Sequence, residues 1–187
     1  MEAVAKLNSK VRDEVHLDQD LLKRIASIDL ECIKIKLMHS EDGVSWSRSQ
    51  ADQVERLYRR FLYMVVQCDK RIVPTKLVDK FWHAHILDTE KYAEDCETAF
   101  GYFIHHFPYF GLRGAEDKTA LHRAFQEVCS LYMTLFGEEY TSVGPVDCDS
   151  CHPKCDGPVG CRGDDIARCD RTEGSEVRPS FAMLDMG

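Results

Sequence analysis

No apolar run in the 187-residue sequence approaches the ~18 residues that a membrane-spanning helix needs. The opening residues, Met1-Glu2-Ala3-Val4-Ala5-Lys6, lack the apolar core of a secretory signal. These absences disfavour membrane and secreted readings and predict a cytoplasmic protein. Cationic charge is also scarce: 24 Lys and Arg face 32 Asp and Glu, for a formal net charge of −8. A general nucleic-acid binder needs a cationic face for phosphate, so that class is disfavoured as well. There is no phosphate-binding glycine loop, no His-Glu-x-x-His helix and no Ser-His-Asp motif. The commonest catalytic signatures are therefore missing, and no enzymatic reaction can be read directly.

Proline and glycine are rare in residues 1–137, which hold two of six prolines and five of eleven glycines. The remaining segment, 138–187, is different. It carries eleven acidic and five basic residues, and its only aromatics are Tyr140 and Phe181. Such a segment lacks the apolar content to build a core. The expected organisation is a helical domain over 1–137 and an acidic, irregular, cysteine-containing tail over 138–187.

Within the domain the apolar residues recur at helical intervals. Leu21, Ile25, Ile28, Cys32 and Ile35 lie on one stripe, and Val54, Leu57, Tyr58, Phe61 and Val65 on another. Ser47-Arg48-Ser49-Gln50 fits a capping box. Pro74 and Thr75 suit the start of a third helix. Asp88 and Thr89 suit the start of a fourth, which ends before Gly101. A last helix carries Leu121, Phe125, Val128, Tyr132 and Leu135, and Gly137 stops it. No convincing strand pattern appears. The predicted fold is all-α, an antiparallel bundle of about five helices.

The densest group of chemically capable side chains is Phe81-Trp82-His83-Ala84-His85-Ile86-Leu87-Asp88-Thr89. Successive helical residues turn by about 100°, so His83 and His85 lie about 200° apart and cannot share an ion on a regular helix. His85 falls in the middle of the Leu77, Phe81, Val78 and Trp82 face. Asp88 falls beside it if the helix runs that far. His83 pairs with Asp79 on the outer side, at a spacing of four residues. An inward His and Asp need partners, because an unpaired buried polar group costs roughly 1–3 kcal/mol. A bound metal satisfies them. So does a structural arrangement in which Asp88 caps the next helix and His85 bonds a carboxylate or carbonyl.

A second group, Tyr102-Phe103-Ile104-His105-His106-Phe107-Pro108-Tyr109-Phe110, holds too many aromatics for an ordinary solvated loop. It is expected to plug the bundle end, line a pocket or meet a protein partner. His105 or His106 would complete a site with His85 and Asp88, and imidazole with carboxylate suits Zn²⁺ or Fe²⁺. Tyr92 and Cys96, one turn apart, read as core packing, with a Cys–His nucleophilic dyad as the alternative.

The run from Pro74 through Trp82-His83-Ala84-His85, Asp88-Thr89 and Tyr92 to Asp95-Cys96, followed by His105-His106-Phe107-Pro108, resembles the glycine-rich domain-containing protein family. The similarity is to the helical region of its bacterial and plant members and covers about residues 20–137. The resemblance implies a helical domain and gives weight to the motif, without attaching a reaction.

The tail holds Cys148, Cys151, Cys155, Cys161 and Cys169, with His152 among them. The first four are spaced closely enough to wrap Zn²⁺ or Cu⁺ with thiolates. Disulfide pairing and incidental cysteines are the other readings. Three functions follow: a metal-binding helical protein using the His/Asp cluster, the cysteine tail or both; an interaction module docking a protein through the 102–110 loop; and a small metal-dependent enzyme.

Overall fold

The computed structural model describes residues 17–39, 45–140 and the backbone of 166–167. The described part is mostly helical, with six helices: α1 (Gln19–Ser27), α2 (Glu31–Met38), α3 (Arg48–Gln67), α4 (Lys76–Leu87), α5 (Thr89–Phe100) and α6 (Ala115–Phe136). No described helix is long and apolar enough to cross a membrane.

The Leu21–Ile35 stripe is divided between two helices rather than one. The backbone of Ile28 turns extended at φ −63° and ψ 124°. Asp29 then accepts the Glu31 amide and starts α2. The carbonyls freed at the end of α1 have a partner: Arg59 of α3 donates to those of Ile25 and Ile28. The break rotates α2, so Ile33 is buried while Cys32 and Ile35 are exposed.

α3 is the central element. Its capping box is present, with the Gln50 amide donating to Ser47 Oγ and the Ser47 amide donating to Gln50 Oε1. The expected stripe is buried, joined by Ala51, Leu62, Tyr63 and Met64. Lys34 of α2 is buried against α3, between Glu31, Asp52 and Glu55 at 2.7, 2.8 and 2.7 Å. Burial alone would lower its pKa, but the three carboxylates hold it raised.

α4 begins at Thr75, whose hydroxyl accepts the Val78 amide. α5 and α6 stop at Gly101 and Gly137, both in the left-handed conformation that glycine adopts without a Cβ clash. Packing continues past Gly137. Glu138 pairs with Arg60 at 2.8 Å, and Tyr140 is 4% exposed. The Tyr140 hydroxyl accepts the Thr75 amide, and its ring lies 4.7 Å from that of Tyr132. A two-residue strand β1 (His106–Phe107) pairs antiparallel with β2 (Ile166–Ala167), His106 opposite Ala167.

Candidate metal centre

Three potential ligands converge where α4 meets the 101–114 loop. Asp79 and His83 are one turn apart on α4, whose phase is set by the Thr75 cap, so both lie on one face. His106 comes from β1 and is brought onto that face by the loop. Its Nε2 lies 3.1 Å from His83 Nε2 and 3.2 Å from Asp79 Oδ1. His83 Nε2 lies 3.6 Å from Asp79 Oδ2. Asp79 is 8% exposed. The His106 side chain is largely covered, whereas that of His83 is 44% exposed. The cluster therefore has a covered base and an open side.

The loop is held from two directions. On one, Tyr92 of α5 donates its O–H to the Ile104 carbonyl, and the Trp82 ring packs on that of His106. On the other, Asp117 of α6 accepts the Gly111 and Arg113 amides at 2.6 and 3.2 Å and pairs with the Arg113 guanidinium. Arg113 in turn lies over the Phe107 ring. Ile104 and Phe110 are buried. The aromatic loop is thus seated on the bundle, with Phe103 and Leu112 its exposed large apolar residues.

Burial pushes the His83 pKa down. Asp79 pulls it up, and His106 adds to the lowering. The net effect favours neutral imidazole, the form that coordinates metal.

The predicted site residues separate. His85 is buried as expected, at 1% exposed, while His83 is the more open histidine. Both His85 ring nitrogens are engaged, Nδ1 with the Tyr58 hydroxyl and Nε2 with Asp95 Oδ2, each at 2.9 Å. Carboxylate Asp95 can only accept, so Nε2 carries the proton and Tyr58 donates to Nδ1. Burial lowers the His85 pKa, against the opposing pull of Asp95. Both ring nitrogens of His85 are thus occupied by protein hydrogen bonds, and it does not join Asp79, His83 and His106.

Asp88 does not sit beside His85 in the core. α4 ends at Leu87, and Asp88 is the exposed joint to α5 at φ −88° and ψ 75°. The carboxylate bonded to His85 is Asp95. His105 is exposed and lies against Phe103. Of the four helical-domain candidates, only His106 enters the cluster. Cys148, Cys151, Cys155 and Cys161 lie outside the described residues. The Cys96 thiol is buried, and burial raises its pKa, which opposes a nucleophilic role.

From sequence, Asp79 and His83 form an outer ion pair at a spacing of four residues. Their shared face was legible, but the loop that covers it was not. A signal was present in the four-residue Asp–His spacing together with a distant histidine pair.

A family model described as UCP032817-like matches residues 29–135, and the chain belongs to that family. No curated protein and no solved structure matches the chain. The match corrects the resemblance to the glycine-rich domain-containing family that the Trp-His-x-His region suggested: the family found over residues 29–135 is a different one. The family's description names no activity, ligand or partner.

Proposed function

We propose that this UCP032817-like protein binds a divalent first-row metal ion, Zn²⁺ or Fe²⁺, through Asp79, His83 and His106. The observation that carries the reading is the convergence of two imidazole Nε2 atoms and the Asp79 carboxylate from two separate chain segments at 3.1–3.6 Å, with Oδ1 toward His106 and Oδ2 toward His83. Ligand atoms about 2.0–2.1 Å from a common ion lie roughly 3.3–3.4 Å apart in a tetrahedron and about 2.9 Å apart at right angles. The observed spacings fall close to these values. Two imidazoles and one carboxylate on one side of an ion leave positions for water or substrate, the arrangement found in catalytic zinc and non-haem iron sites. The half-exposed His83 leaves that side accessible. A metal-dependent enzyme is the natural extension of the reading.

The competing account is a hydrogen-bonded His–Asp–His group that holds the loop without any ion. Elemental analysis and calorimetric Zn²⁺ titration of untagged full-length protein separate the two. Asp79→Asn, His83→Ala and His106→Ala should each lose one equivalent relative to the parent, whatever the tail thiols bind. His85→Ala should keep that equivalent. Unchanged stoichiometry in all three ligand variants would leave the hydrogen-bonded account standing.

A further inference from the structure

The Tyr92 hydroxyl sits between the two segments that carry the candidate ligands. It accepts the Trp82 indole N–H at 2.9 Å and donates to the Ile104 carbonyl at 2.7 Å. All three residues are buried. Trp82 lies on α4 between Asp79 and His83, and its ring centroid is 4.4 Å from that of His106. Ile104 precedes His106 by two residues. A continuous path of hydrogen bonds and ring packing therefore joins the helix bearing two ligands to the strand bearing the third.

We propose that Tyr92 is a positioning residue for the Asp79–His83–His106 centre: by fixing the Ile104 carbonyl against Trp82, it sets where His106 presents Nε2. This rests on the metal-binding reading above. Tyr92 acts through Trp82 and Ile104, not on the ion. Groups that orient a ligand from outside the coordination shell commonly change metal affinity about 10–100-fold when removed. Removing this hydroxyl leaves an indole N–H and a carbonyl unpaired in a dry interior, and their rearrangement moves the loop relative to α4.

The test uses the full chain and Co²⁺, whose visible absorption reports coordination geometry, followed on the equivalent that His83→Ala removes. Tyr92→Phe retains the ring that meets His85 and Phe103 edge-on. It should bind Co²⁺ about tenfold or more weakly, with altered absorption bands. Tyr132→Phe removes a buried hydroxyl bonded to Arg60 on α3 and serves as the structural control. It should keep the parent affinity and bands. If Tyr92→Phe loses cooperative melting, Trp82→Phe, which deletes the indole N–H, carries the same expectation. Parent affinity and bands in the folded test variant would overturn the positioning role. So would equal weakening by Tyr132→Phe. Failure of the parent protein to bind Co²⁺ through His83 would overturn the metal reading itself, and this proposal with it.

Discussion

His85 has the most constrained surroundings of the histidines in the Trp-His-x-His motif. Its ring is closed in by Tyr58 and Asp95, and Lys91 pairs at 2.9 Å with the same Asp95 oxygen that His85 meets. Truncation takes the imidazole partner from the buried Tyr58 phenol, while Asp95 keeps Lys91. His85→Ala should therefore cost roughly 2–4 kcal/mol, measured by urea unfolding, while metal stoichiometry stays unchanged. The pH dependence follows from the lowered folded pKa. As pH falls through the unfolded value of about 6.5, the unfolded chain gains its proton before the folded one, and stability drops. Melting temperatures measured from pH 7 to 5 should fall less steeply in His85→Ala than in the parent. The inward direction of His85 was legible because Leu77, Phe81, Val78 and Trp82 define an apolar face. Its partner was not. Asp88 falls beside His85 only on an ideal helix that runs one residue past Leu87, whereas Asp95 reaches His85 through the packing of α5 on α4, which no local spacing encodes.

At the scale of elements, short-range chemistry was readable and long-range closure was not. The Ser47–Gln50 box, the Thr75 cap and the Gly101 and Gly137 stops depend on neighbours within four residues. The end of α1 depends on Arg59, 31 residues beyond Ile28, so periodicity alone ran through it. The 101–114 loop depends on α5 and α6 in the same way. Asp117 tests this closure. Burial pushes its carboxyl up, but Arg113 and the Arg113 and Gly111 amides outweigh burial and hold it below the usual value. Its contribution is present above the unfolded pKa of about 3.9 and is lost as pH falls through the lower folded value. Asp117→Ala should lower stability by about 1–3 kcal/mol near neutral pH. It should also weaken Zn²⁺ binding, because the loop bearing His106 is released at one end. Calorimetric titration beside thermal melting reads both effects, and unchanged affinity would mean that the α5 side alone holds the ligand.

For the whole molecule, the core closes later in the chain than charge and composition indicated. The change in composition near residue 138 is real, yet Tyr140 packs among Tyr132, Phe125 and Thr75, and Glu138 neutralises Arg60. A single aromatic in an acidic stretch contributes little to a compositional average. In the fold it fills a site left by two helices. Tyr140→Ala in the full chain should cost about 3–5 kcal/mol, the usual range for deleting a buried aromatic, checked by denaturant unfolding. Metal binding has a second consequence at this scale. An ion bound only by the folded chain raises stability by about 2.7 kcal/mol at a hundred times its Kd, so added Zn²⁺ should raise the melting temperature of the parent but not of His106→Ala.

The most direct measurement is anomalous diffraction at the zinc absorption edge from crystals of the full-length protein grown with Zn²⁺. The account predicts an anomalous peak about 2.0–2.2 Å from an Asp79 carboxylate oxygen and from Nε2 of both His83 and His106. A zinc-replete crystal with no peak between these three side chains, whether or not the tail cysteines hold an ion, would contradict it.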